Sequence, residues 1–414
     1  MSTKANTVLI EPQSSIIPHI ILYVSQIIAL ALPPFRGRRE VFSILILGLA
    51  VYVYANPHFT NNVSLAQPFT IAWSYYMATL AKLLCSKVPG PEGSYWRIDR
   101  KAKEALLYKS LGRKKILWAA VLIFNQRGIR WNFQVKNVPQ SPPHETRRNF
   151  LLRQLFQFLK CLCIADLLFE VGTRLFFTST DGTVGNMDSK YLTLRHPDWR
   201  WDFGKCLVFG ATPYFMLSMQ YAQFAFVAVF LNLSKPEDWP SPFGKLAHTT
   251  TIRDFWGRYW HQQLRHMLTL YTDSLADLLR IQRGTNLSSY TKLYLAFAIS
   301  GMFHALSQLQ MPCPTNITPS ERCWGFFLFF VWQTVAITLE DCVQWLYKKA
   351  GGKFEDVRGR TLRTAAGYCW VIGSMWLSIP LVGDTFLRMR MGVDSLLPFS
   401  IARPLVQKYI PIPT

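Results

Sequence analysis

His304 is an ionisable side chain inside the apolar run Tyr290 to Leu309. Such groups are costly at membrane depth, so one that persists there reads as functional. A neutral imidazole, with an ordinary pKa of about 6.5, can take a proton from an alcohol as a general base. On a helix, Ser300 and Gly301 lie one turn before His304, and Ser307 and Gln308 one turn after it. They form a stripe of small and polar residues along one side, which should face a bundle interior or a water-filled cavity. The alternative is a histidine that only hydrogen-bonds across helices.

A second constellation runs from Asp254 to Arg265, in the loop before the His304 segment. Read as one helix, Trp256, Trp260, Leu264, Met267, Tyr271, Leu275 and Leu278 recur every three or four residues and make an apolar side. Asp254, Arg258, His261 and Arg265 then share the opposite side. Two chemistries fit: an interfacial amphipathic helix with aromatic anchors, or a cationic stripe that binds an anionic, phosphate-rich cofactor. A third feature is Gln333, Glu340 and Asp341. The two carboxylates either sit at a solvated helix end near Lys348 and Lys349, or Glu340 orients a basic group inside a cavity. The sequence has no phosphate-binding glycine loop, dinucleotide fingerprint, nucleophile elbow or HExxH pair. The eight cysteines show no CxxC spacing, so no metal site is expected. Cys313 and Cys323 flank a short loop and could pair in an oxidising lumen.

The elements that must position these residues are membrane helices. Of 414 residues, 50% are hydrophobic and 17% charged, with 14 Trp and 17 Tyr suited to the membrane–water boundary. A bilayer core about 30 Å thick needs roughly 20 apolar helical residues. The candidate runs are Ile16 to Leu32, Val41 to Tyr54, Leu65 to Leu84, Leu151 to Phe177, Cys206 to Leu231, Tyr290 to Leu309, Trp324 to Tyr347 and Thr364 to Phe386. The second is short, and the fourth carries Arg153, Lys160 and Arg174. Ala29-Leu30-Ala31 imitates a signal cleavage site, but only Lys4 and Glu11 charge the segment before it, which favours a retained span. Ile116 to Phe124 is too short to span and reads as interfacial.

Basic residues gather in alternate connections: Arg36, Arg38 and Arg39; Lys87 to Arg148; Lys235 to Arg283; and Lys348 to Arg363. These should be cytosolic, with both termini on the other side. The net charge of +21 is spread over loops instead of forming one patch, so anionic headgroups or a phosphate-bearing substrate fit better than nucleic acid. The expectation is an all-α integral membrane protein of about eight spans plus interfacial helices. It forms one domain over residues 1–414, with long cytosolic loops at about 85–149 and 233–289. From the residues alone, a transporter with a His304–Glu340 proton relay competes with an enzyme, but no inverted repeat supports it.

Three segments carry a resemblance to a known family. Arg253-Asp254-Phe255-Trp256-Gly257-Arg258-Tyr259-Trp260-His261-Gln262 resembles a loop signature, and Ser300-Gly301-Met302-Phe303-His304 resembles an intramembrane catalytic segment. Arg127-Gly128-Ile129-Arg130-Trp131-Asn132, followed by Lys136-Asn137-Val138-Pro139, is a weaker third. The sequence looks like the membrane-bound O-acyltransferase superfamily, in its wax-synthase-like branch of fungal secondary-metabolite pathways. The resemblance implies an endoplasmic-reticulum membrane enzyme that takes acyl-CoA, above all acetyl-CoA, as co-substrate and transfers the acyl group to a lipophilic alcohol. It implies His304 as catalytic base and His261 as a second polar group at the site, where many relatives have asparagine. Asp254, Trp256, Arg258, Trp260, Gln262 and Arg265 are then the expected acyl-CoA-binding residues. Arg130 stands where a small residue would be expected. The acceptor reads as a terpenoid, meroterpenoid or polyketide alcohol, with long-chain wax ester synthesis as the alternative.

Overall fold

The computed structural model describes residues 8–86, 89–142, 145–352, 357–393, 397 and 399–413. Lys4 and Lys87, used above to read signal and orientation, lie outside the described residues. The helices are α1 Ile17–Ala31, α2 Arg38–Ala55, α3 Val63–Thr70, α4 Ala72–Cys85, the single turn α5 Pro91–Ser94, α6 Arg113–Phe124, α7 Arg147–Phe176 and α8 Trp199–Phe230. They continue with the short α9 Ile252–Asp254, then α10 Arg265–Leu278, α11 Asn286–Ser307, α12 Pro319–Lys349, α13 Val357–Arg388 and α14 Arg403–Tyr409. Extended pairing among the described residues is confined to isolated bridges.

Each of the eight apolar runs is helical. By length and composition, Pro319–Lys349 and Thr361–Arg388 are long and apolar enough to cross a membrane. The third run is broken at Ile71 into α3 and α4. Pro68 sits one turn earlier and cannot donate to the helix ladder. In α7, Arg153 pairs with Glu145 at 2.7 Å and Arg174 donates to the Ile410 carbonyl at 3.0 Å, so two of the three basic residues named in the fourth run are engaged. Side-chain caps fix several starts: Thr285 accepts from Ser288 N at α11, and Thr318 with Glu321 forms a capping box at α12.

The chain divides into two compact units. One comprises Met1–Leu9, Val138–His261 and Cys313–Thr414. Its most extensive helix pair is α7 with α8, followed by α12 with α13. Close approach in the second pair depends on Gly325, where any Cβ would collide with the Leu381 carbonyl oxygen. Small residues of this kind let helices pack where lipid supplies no water-release drive. Leu175, Phe177, Leu192, Leu194, Cys206 and Leu387 form a core there. Cys313 and Cys323 are free thiols, so the bridge considered above is absent.

The other unit comprises Ile10–Asn137 and Gln262–Pro312. Here α1 packs on α2, α4 and α6, and α10 packs on α4 and α11. Leu22, Leu30, Ile46, Trp73, Leu80, Trp118, Trp131 and Met267 form its core. Glu92, fully buried, receives Arg38 at 2.6 Å and Lys115 at 3.0 Å. Burial pushes the Glu92 carboxyl upward, but the Arg38 hydrogen bonds and charge outweigh it and hold the group below the usual range.

Candidate active site

His304 sits on the last turns of α11, partly buried. Its Nδ1 lies 2.8 Å from the Ser300 carbonyl oxygen and 3.3 Å from the Ser300 hydroxyl. A carbonyl only accepts, so Nδ1 carries the proton in that bond and Nε2 holds the basic lone pair. The Trp73 indole meets the imidazole edge-on at 5.0 Å, while Phe303 stacks on the same indole at 5.3 Å. The stripe read from sequence is buried as expected, at Ser300, Gly301, Ser307 and Gln308. Ser307 Oγ and Gln308 Nε2 both donate to the His304 carbonyl, at 2.7 and 3.0 Å, and so brace the turn that carries the histidine.

The signature loop is not the single amphipathic helix expected from its spacing. After α9, residues Phe255–Tyr259 form a π-helical turn, closed by Trp260 N–H donating to the Phe255 carbonyl at 2.7 Å. Trp260 is extended (ψ 151) and its ring stacks on Phe255 at 5.6 Å. Helix α10 begins only at Arg265. Asp254, Arg258, His261 and Arg265 therefore do not line one helix. Aromatic stacking inside the turn outweighs the regular period that the sequence suggests. π-turns of this kind recur at functional sites.

Side chains of α12 hold this turn. Trp256 Nε1 donates to Gln333 Oε1 at 3.1 Å. Glu340 accepts from Ile252 N, from Arg253 N at 3.2 Å and from Trp370 Nε1 at 2.7 Å. Both expectations for Glu340 need correction. The carboxylate is 7% exposed instead of solvated, and it orients peptide N–H groups instead of a basic side chain. Asp341 pairs with Arg253. Arg258 is exposed and pairs loosely with Asp254 at 3.4 Å. His261 lies beside Trp260 and Phe243. Gln262, buried, accepts from Arg265 Nη1 at 3.1 Å.

In the Arg127–Asn132 segment, Gly128 (φ 63) and Arg130 (φ 60) both take left-handed backbone. That conformation is why a small residue is expected at 130. Arg130 is held there by Asp99 at 2.9 Å. Arg97 and Arg130 together draw the Asp99 carboxyl down to about 2.

Sequence reasoning missed Lys82 and His266. Lys82 is 1% exposed in α4, with its Nζ 5.6 Å from the Phe133 ring centre. His266 packs on Phe133 at 4.6 Å, and burial, with the Lys82 charge, pulls its pKa down to about 4. The rule that singles out His304 applies equally to Lys82. Its place one turn from the end of an apolar run makes it look like a lysine reaching for solvent.

Residues 239–332, which hold both the signature loop and His304, match the family described as membrane bound O-acyl transferase. Aspirochlorine biosynthesis protein F of Aspergillus oryzae is 41% identical over 236 residues, covering 57% of this chain and 92% of that protein. The chain belongs to the membrane bound O-acyl transferase family. Its residues 146–230 also match the C-terminal domain described for aspirochlorine biosynthesis protein F. Acetyltransferase sirH of Emericella nidulans is 29% identical over 269 residues, 65% of this chain and 58% of that protein. Acetyltransferase ple2 of Rhodocybe pseudopiperita is 26% identical over 370 residues, 87% of this chain and 88% of that protein. This O-acyl transferase is thus an enzyme of a membrane-bound family, similar to acetyltransferases of fungi.

Proposed function

We propose that this O-acyl transferase moves an acetyl group from acetyl-CoA to a hydroxyl of a lipophilic fungal secondary metabolite of terpenoid or meroterpenoid type, in the endoplasmic reticulum, with residues 1–414 working as one acyltransferase domain. The observation that carries the reading is the orientation of His304. Its Nδ1 proton is committed to the Ser300 carbonyl, so Nε2 is the basic nitrogen. In the reaction, the acceptor oxygen attacks the thioester carbonyl as His304 Nε2 takes the hydroxyl proton. The C–S bond then breaks, CoA leaves as thiolate, and the proton passes to it. No covalent acyl-enzyme is invoked. His261 or Gln262 is assigned to hydrogen-bonding the developing oxyanion. Asp254, Trp256, Arg258, Trp260 and Arg265 are assigned to acyl-CoA.

The test is to express the chain in a yeast host, feed a panel of lipophilic alcohols and read product masses. An acetyl increment on an alcohol that untransformed cells leave unchanged supports the reading. A long acyl increment replaces it with wax ester synthesis, and unmodified alcohols with no CoA release from purified membranes remove it.

A further inference from the structure

We propose that the surface formed by residues 101–124 is a docking surface for anionic phospholipid headgroups, which seats this edge of the enzyme on the cytosolic leaflet. The surface lies outside the acetyl-transfer machinery and does not depend on that reading.

Its depth is set by two ties to the turn between α1 and α2, where the first two apolar runs break off. Leu111 N–H donates at 3.2 Å to the carbonyl of Ala31, the last residue of α1. Arg38, the first residue of α2, donates to the Leu32 carbonyl at 2.9 Å and to Glu92 at 2.6 Å. The same carboxylate takes Lys115 of α6 at 3.0 Å. Leu111 and the start of α6 are therefore pinned where α1 and α2 leave their apolar stretches, on the side that the basic connections assign to the cytosol.

The residues at that level suit a charged leaflet. Helix α6 buries Trp118, Leu122 and Ile123 in the core of its unit and leaves Leu117 and Phe124 exposed. In the loop before it, Leu107 is 76% exposed. Leu111 is half exposed and takes left-handed backbone (φ 54), which a bulky side chain disfavours and which so little packing does not offset. Among these apolar residues stand Lys101, Lys103, Lys109, Arg113 and Lys114. All five are exposed and make no ion pair or side-chain hydrogen bond among the described residues. By contrast, Arg153, Arg253 and Arg283, exposed on other elements, each have a carboxylate partner, in Glu145, Asp341 and Asp277. Five unneutralised cations interleaved with leucines match headgroup phosphates and carboxylates above an acyl-chain boundary. An acidic protein would meet the cations alone, and the position beside the ends of α1 and α2 decides for lipid.

The experiment places the full chain in nanodiscs of phosphatidylcholine, with or without phosphatidylserine, and reads hydrogen–deuterium exchange by peptide. Phosphatidylserine should slow exchange across residues 101–114 by about tenfold or more, which is less than two basic residues supply at an anionic surface. The uncharged connection at residues 55–64 should exchange at the same rate in both bilayers. High salt should weaken the protection. Lys109→Gln, Arg113→Gln and Lys114→Gln together should remove most of it, each charge contributing about fivefold, while Tm in phosphatidylcholine stays at the wild-type value. Leu107→Ser should also lose most of it, because a buried leucine contributes about tenfold in affinity. The proposal is overturned if phosphatidylserine leaves residues 101–114 unchanged, or slows residues 55–64 equally, which marks a general bilayer effect. It is overturned too if the triple variant is protected like wild type, or if that variant lowers Tm in phosphatidylcholine, which marks structural cations. Wild-type protection of Leu107→Ser, or equal protection by a polyglutamate peptide in phosphatidylcholine, overturns it in favour of a surface that binds any polyanion.

Discussion

The atom that orients His304 is a backbone oxygen of its own helix, the Ser300 carbonyl at 2.8 Å. Many catalytic histidines depend on a carboxylate side chain for this, which mutation can remove; a peptide carbonyl cannot be deleted by substitution. On the proposed reading, the base chemistry therefore rests on one side chain. His304→Ala should lower kcat by about 10²- to 10⁴-fold, the usual range for loss of a general base. The KM for acetyl-CoA and the Tm should stay close to wild type. Turnover of His304→Ala within a few-fold of wild type in a purified assay would remove the base role. His304 was legible in the sequence because a lone titratable group interrupts an apolar run. Lys82 breaks the same rule one turn from a helix end, where a solvated head group is the ordinary explanation. His266 was hidden because it falls in neither the apolar side nor the Asp254, Arg258, His261 and Arg265 stripe of the amphipathic helix that its segment suggests. Burial and an aromatic partner from distant sequence set its surroundings, and neither is visible in local spacing.

Among the elements, α12 acts as a clamp for the signature loop. Glu340 satisfies two peptide N–H groups at the start of the loop and the Trp370 indole, while Gln333 takes the Trp256 indole. Glu340→Gln keeps the shape but turns one acceptor into a donor that faces other donors. It should cost about 1–3 kcal/mol, seen as a lower Tm and faster proteolysis within residues 252–260, with His304 chemistry altered only through the loop. An unchanged Tm and cleavage pattern would show that the clamp contributes nothing. Helices at all eight apolar runs were readable from hydropathy. The break at Ile71 and the π-turn at Phe255–Tyr259 were not. Pro68 hints at the first. The second keeps an apolar spacing that fits an α-helix, and the Gln333 and Glu340 side chains that hold it come from distant sequence.

For the whole molecule, charge layout makes the strongest claim. Basic residues alternate with poor connections, and the one from Ala55 to Ser64 carries no charge. In a background lacking the other cysteines, exposed Cys85 should be labelled by a membrane-impermeant maleimide in intact microsomes, and Asn61→Cys only after detergent opens them. The reverse pattern would invert the orientation. The all-α class followed from composition, whereas the division into two units did not, because each unit is assembled from separated stretches of sequence. One takes Met1–Leu9, Val138–His261 and Cys313–Thr414, and the other takes Ile10–Asn137 and Gln262–Pro312. A premature stop anywhere before Cys313 therefore strips residues from both. Damage to the gene upstream of that codon spares neither unit, and such alleles should behave as nulls instead of leaving a half-working protein.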